Sequence, residues 1–236
     1  MSAVLKAKVY LFPVPIAEDG WGAIPAQNYE VAERLRYYVV ENARTARRML
    51  RQMSATLPLE EIAFSEIDKH QGADEKLFQQ WLRAGHEIGI MSEAGCPGVA
   101  DPGSRLVALA HQAGAQVIPL TGPSSILLAL MASGLNGQSF AFEGYLPVKE
   151  PLRGQKIKQL EADSRRQQQT KIFIETPYRN NQLVADLLKH AAPGTQLCIA
   201  LHIGSADENI QTKNLAQWKK ELPQLPKAPA VFLLLA

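Results

Sequence analysis

Short runs of apolar, β-branched residues alternate along this chain with amphipathic segments of helix length. Strand side chains repeat every two residues and helical ones about every 3.6, so the alternation predicts βα units with mostly parallel strands. The pattern predicts strands over 8–14, 36–40, 61–64, 87–91 and 116–120. Helices are expected over 28–35, 43–52, 74–84 and 102–113, the last one stopped by Gly114. At Thr121 the pattern restarts. Strands are then expected over 139–143, 170–175, 196–201, 208–212 and 230–235, with helices over 124–133, 152–161, 180–190 and 215–221. The fold class read from this order is α/β: two α/β/α domains with mostly parallel sheets, divided as 1–120 and 121–236.

Composition changes this picture little. The chain has 236 residues, 46% hydrophobic and 20% charged, which suits a globular protein and excludes a disordered one. A net charge of +2 does not announce a nucleic-acid binder, so any RNA contact must rest on a local cluster. One exists: Arg44, Arg47, Arg48 and Arg51 share one helix face, with few acids between them. Their forked guanidiniums suit phosphates. The plainer alternative is a solvated face paired with acids such as Glu41.

Cys96 and Cys198 stand far apart without metal-ligand or CxxC spacing, so neither disulfide nor zinc is expected. His70, His86, His111, His190 and His202 show no ligand spacing either, and no metal is expected. No apolar run reaches membrane-helix length, and Pro13 and Pro15 interrupt the first one before it could serve as a signal. A soluble, cytoplasmic protein is expected. Trp21, Tyr37 and Tyr38 read as packing groups.

In open α/β sheets ligands bind beyond the carboxyl ends of the strands, so the loops leaving strands carry the chemistry. No GxGxxG or Walker pattern occurs in any of them. The most unusual loop is Ser92-Glu93-Ala94-Gly95-Cys96-Pro97-Gly98-Val99-Ala100-Asp101-Pro102-Gly103, which packs three glycines, two prolines and two acids into twelve residues. Glycine permits close backbone approach and proline fixes a turn. Asp101-Pro102 also reads as a helix start, with Asp as cap. Leu120-Thr121-Gly122-Pro123-Ser124-Ser125 offers hydroxyls and backbone N–H groups at a helix start. Pro13-Val14-Pro15-Ile16, Glu175-Thr176-Pro177-Tyr178-Arg179 and Pro226-Lys227-Ala228-Pro229-Ala230 complete the set. Glu41, Glu93 and Glu175 stand at strand ends and are the candidate catalytic carboxylates, each equally able to serve a helix start.

Taken in this order, the loops resemble those of the tetrapyrrole methylase family, the class III S-adenosylmethionine-dependent methyltransferases. The segment 92–103, with its Glu-Ala-Gly-x-Pro-x-x-x-Asp-Pro-Gly form, carries most of the likeness; 119–125, 142–147 and 173–179 add to it. Within the family the chain is most similar to the branch that methylates a ribose 2′-hydroxyl of small-subunit ribosomal RNA. The resemblance implies two α/β domains with S-adenosylmethionine in the cleft between them. It implies cofactor contacts at Pro15, Ile16, Gly95, Val99, Ser124, Ser125, Glu175, Thr176, Pro229 and Ala230, and a homodimer. The substrate side departs from the branch: Glu-Asp-Thr-Arg becomes Glu41-Asn42-Ala43-Arg44, and Arg-Glu-Leu-Thr-Lys becomes Leu201-His202-Ile203-Gly204-Ser205. Three readings therefore stay open: an RNA ribose methylase, a methylase of a small molecule or protein side chain, and a cofactor-binding protein without catalysis.

Overall fold

A computed structural model describes residues 7–68 and 71–236, so His70 lies outside the described residues. The chain divides into two compact units between Ser124 and Ser125.

In the first unit the apolar runs form β1 (Lys8–Phe12), β2 (Tyr37–Val40), β3 (Ala63–Glu66), β4 (Glu87–Met91) and β5 (Gln116–Pro119). They make one sheet in the order β3-β2-β4-β1-β5, with every pairing parallel. Its helices are α1 (Ala26–Arg34), α2 (Ala43–Met53), α3 (Glu75–Arg83) and α4 (Ser104–Gln112). Alternation along the strands decides which helix covers which face. Tyr10, Phe12, Tyr38 and Val40 pack with Val31 of α1, with Leu35 just after it, and with Met49 and Leu50 of α2. Val9, Val39, Ile88 and Ile90 pack on the opposite face with Phe78 and Leu82 of α3 and with Leu106 and Leu109 of α4.

This arrangement creates a switch point. After β1 the chain runs over one face toward β2, whereas after β4 it runs over the other face toward β5. Because β1 and β4 are neighbours, their outgoing loops part in opposite directions and leave a crevice at the carboxyl end of the sheet.

The second unit contains α5 (Ser125–Ser133), β6 (Phe140–Tyr145), α6 (Leu152–Gln167), β7 (Thr170–Glu175), α7 (Asn180–His190), β8 (Gln196–Leu201), β9 (Asn209–Asn214), α8 (Leu215–Lys220) and β10 (Ala230–Leu235). Phe173, Leu197, Ile199 and Phe232 bury one face of its sheet under α6, α7 and α8, while α5 lies against β8, β9 and β10.

The α/β class holds, but this sheet departs from the expected parallel pairing. In the order β6-β7-β10-β8-β9 only β6 and β7 run parallel; the other three pairings are antiparallel. The physical reason lies in the connections. Only seven residues join β8 to β9, too few for the crossover that a parallel pair needs. The last strand, β10, enters from the opposite end and fills the gap between β7 and β8. Helix α6 also runs six residues beyond its expected end, through a polar stretch with no apolar period, and stops where Gln168 turns left-handed (φ 50°).

Candidate active site

The β1 and β4 loops are tied together at the switch point. Val14 and Gly95 exchange backbone hydrogen bonds, Val14 N–H to Gly95 O at 3.0 Å and Gly95 N–H to Val14 O at 3.2 Å. The segment after β5 joins them: the Cys96 thiol donates to Pro123 O (3.3 Å), and the buried Asn28 amide donates to Thr121 O (2.9 Å). Gly122 lies so close to Pro13 that a Cβ there would sit 2.2 Å from the proline Cβ. Gly95 has φ +71°, where a side chain would also meet Ile16 at 3.3 Å. Glycine is therefore required at both positions, once for space and once for conformation.

The long loop between β4 and α4 is not a helix start with an aspartate cap. Helix α4 begins at Ser104, and its cap position is Gly103, with φ 130° and no side-chain cap bond. Ala100 is itself left-handed (φ 61°), and Gly98 N–H donates to Pro102 O at 3.2 Å, which folds the loop back on itself. Asp101 is thereby freed from capping. Its half-buried carboxylate has no hydrogen-bond donor among the described residues, and burial together with the charges of Glu41 and Glu93 pushes its pKa up to about 6. Sequence reasoning missed this residue because the Asp-Pro pair offered a sufficient local explanation.

Glu41 and Glu93 come together as neighbours at the ends of β2 and β4. Glu41 Oε1 accepts the backbone N–H of Glu93 (3.1 Å), and Thr45 Oγ1 lies 3.4 Å from Glu93 Oε1. Asn42 caps α2 by accepting from Thr45 N–H (3.0 Å), and Glu66 accepts from Ala43 N–H (2.6 Å). The start of α2 therefore does not need Glu41. Beside these acids lies a cavity of about 500 Å³, lined among others by Pro15, Ile16, Asp19, Arg48, Glu93 and Ala94. It brings two expected cofactor residues, one candidate carboxylate and one of the arginines to one place. Val99 is half exposed on the same loop, and Ser124 ends the unit.

On α2, Arg44, Arg47, Arg48 and Arg51 are all exposed, and none is ion-paired with a described carboxylate. Arg47 lies over the Phe64 ring (4.7 Å) and Arg51 donates to Ala55 O (2.6 Å).

The remaining site candidates, Ser125, Glu175, Thr176, Pro229 and Ala230, belong to the second unit. Glu175 ends β7 opposite Ala230 of β10, and Pro229 is exposed just before it. Its side chain is fully used. Oε1 accepts from Thr176 N–H (2.8 Å) and from Arg179 Nε and Nη2 (2.9 and 2.7 Å), while Oε2 accepts from Arg153 Nη2 (3.0 Å). Burial alone would raise its pKa, but the Arg179 hydrogen bonds, the Thr176 N–H and both guanidinium charges prevail and hold it below the usual carboxylate range. A carboxylate so held is a poor proton acceptor. Arg153, fully buried, also donates to Asp186 (3.1 Å) and Pro147 O (2.6 Å). A buried arginine in a polar helix has no sequence signal. Among the described residues no group of His, Cys, Asp and Glu could hold a metal ion.

Comparison with known proteins bears on the fold and the family of this chain. The family model of Tetrapyrrole (Corrin/Porphyrin) Methylases matches residues 24–218. Similar curated proteins include the ribosomal RNA small subunit methyltransferase I of Vibrio cholerae, 31% identical over 95% of this chain and 76% of that protein. The same-named protein of Synechocystis is 31% identical over 86% and 69%. Among solved structures, the methyltransferase CobJ superposes with a TM-score of 0.61 at 15% identity, over 96% of this chain and 92% of that one. Uroporphyrin-III C-methyl transferase from Thermus thermophilus, complexed with S-adenyl homocysteine, gives 0.55 at 15% identity over 97% of both chains.

Proposed function

Because this chain belongs to the tetrapyrrole methylase family, we propose that it transfers a methyl group from S-adenosylmethionine to a ribose 2′-hydroxyl of small-subunit ribosomal RNA. The observation that carries this reading is the β1/β4 crevice, where Val14 and Gly95 clamp the family's most specific loop against the strand end. The names of the relatives support the RNA acceptor, and the exposed arginine face of α2 suits its phosphates.

The residues present fit the cofactor. The cavity by Pro15 and Ile16 has a volume in the range that takes a small ligand, and its walls combine apolar groups (Ile16, Trp21, Met49) with charged ones (Asp19, Arg48, Glu93). Within the first unit Pro15 and Ile16 line it, and Gly95, Val99 and Ser124 are the further contacts we assign to the cofactor. When bound, S-adenosylmethionine supplies an electrophilic methyl carbon and leaves as S-adenosylhomocysteine. The chain's own work is to hold the acceptor oxygen in line and to remove its proton. Positioning alone is worth on the order of 7–11 kcal/mol.

Asp101 takes the proton. Its pKa of about 6 leaves it ionised at neutral pH yet more basic than an ordinary carboxylate. Burial, reinforced by the charges of Glu41 and Glu93, keeps it so; Glu175, held low by two arginines, serves structure instead.

The protein acts in the cytoplasm as a homodimer. Support for the dimer comes from Leu127 and Met131 on α5 and Phe140 and Phe142 on β6, large apolar residues left exposed in the second unit. Support for the cytoplasm comes from two unpaired cysteines. Among the described residues no helix is long and apolar enough to cross a membrane.

The test is incubation with S-adenosylmethionine labelled in the methyl group and small ribosomal subunits. Label in RNA, recovered as a 2′-O-methylnucleoside, is expected. Label confined to protein or small molecules would move the acceptor class, and tight cofactor binding with no transfer would leave a binding protein.

A further inference from the structure

Three loops of the second unit emerge at one edge of its sheet. Strands β6 and β7 are parallel neighbours with Tyr145 beside Ile174, so the loops that follow them leave side by side. Strand β10 runs antiparallel to β7 with Ala230 opposite Glu175, which brings the segment before it to the same edge. Buried polar bonds fix all three. Arg153 joins Pro147 O of the first loop to Glu175 at the base of the second. Asn180 donates to Ala228 O (2.8 Å), and Asn181 exchanges two hydrogen bonds with Leu225, which pins the third.

This frame presents two aromatic rings to solvent. Tyr178 is 79% exposed and Tyr145 60%. A tyrosine kept for packing would be buried by its neighbours, as Tyr38 is. Instead Lys227 Nζ lies 5.5 Å from the centre of the Tyr178 ring, and Arg179, next to Tyr178 in sequence, donates to Glu175 and is close enough to Tyr145 to be influenced by it. The ion pairs beneath are internally balanced, Arg153 and Arg179 against Glu175 and Asp186. Lys227 has no carboxylate partner among the described residues and contributes a net positive charge.

Exposed aromatic rings beside cations on a rigid frame match the requirements of single-stranded nucleic acid: a face on which an unpaired base stacks, and a charge for its phosphate. We infer that Tyr178, with Lys227 at its ring and Tyr145 at the end of the neighbouring strand, is a stacking platform for an unpaired base of the RNA substrate. The inference rests on the RNA reading above and adds to it the strandedness of the substrate and the residues that grip it. Arg153 is a positioning residue here, because it reaches the platform only through Glu175 and Pro147.

The test is fluorescence anisotropy of the full chain with a labelled single-stranded RNA of about 12 nucleotides, and with the same sequence fully paired. Tyr178→Ala is expected to weaken single-strand binding by about 5- to 30-fold, whereas Tyr178→Phe, which keeps the ring, binds within about twofold of the parent. Lys227→Gln should reduce the salt dependence by about one phosphate contact. Titration with S-adenosylhomocysteine and the unfolding midpoint verify that Tyr178→Ala remains folded. The inference is overturned if Tyr178→Ala binds single strands as tightly as the parent, or if single-strand and duplex binding fall equally. If the parent methylates RNA while Tyr178→Ala binds unchanged, the platform fails and the activity stands. Should the parent bind neither RNA, but bind vesicles of anionic phospholipid, both readings fall.

Discussion

At the scale of single residues, the two carboxylates Asp101 and Glu175 illustrate opposite uses of burial. Glu175 is buried with donors and stays ionised; Asp101 is half-buried near two other acids and resists ionisation. Folded Asp101 titrates at about 6 against an ordinary 3.8, so the folded state binds its proton more tightly than the unfolded state does. The resulting penalty is absent below about pH 4, grows as pH rises toward 6, and persists above it. Asp101→Asn is therefore expected to raise the unfolding midpoint at pH 7.5 by about 2–5 °C and to change it little at pH 3.5. The gain stays modest because solvent reaches and screens this carboxylate. In the same variant methyl transfer should fall by roughly 10²–10⁴-fold. In the parent protein, kcat/KM should rise with pH and level off above about 6. A flat profile from pH 5 to 8, or an Asn variant with full activity, would remove Asp101 from the chemistry.

At the scale of elements, the βα alternation was legible because strands and helices differ in apolar period, and the parallel pairing of the first sheet follows from it, though its strand order does not. What the sequence concealed has specific causes. Asp101-Pro102 imitates a helix cap, so the strained loop that displaces the helix start to Ser104 could not be seen locally. The antiparallel pairings of β10 depend on a strand inserting between β7 and β8, a non-local event with no local signature. Arg153 sits in a helix of mostly polar residues, and only its distant partners Glu175 and Asp186 reveal that it is buried. Two variants test these elements. Arg153→Met leaves buried carboxylates facing an apolar chain, and urea unfolding should show a loss of about 3 kcal/mol; an unchanged midpoint would mean the network carries no stability. Gly122→Ala forces a Cβ into Pro13 and should weaken S-adenosylhomocysteine binding at least tenfold, about 1.4 kcal/mol, by moving the loops that meet at Gly95.

At the scale of the whole molecule, the loops resembling the family were readable in order, whereas the exposed apolar residues of the second unit were not, since no period marks which side of α5 lacks a neighbour. Leu127 and Met131 predict association: sedimentation at about 10 μM should give the mass of two chains, and Met131→Glu that of one. A parent that sediments as one chain contradicts the dimer.

Cofactor binding depends on the crevice at the β1/β4 switch point, beside the Val14–Gly95 bridge. Isothermal titration of the parent protein with S-adenosylhomocysteine tests it most directly. The expected result is one site per chain with micromolar or tighter affinity, weakened by Gly95→Val, whose side chain would meet Ile16 and demand a left-handed backbone. No heat from the parent, or equal binding by the variant, would contradict it.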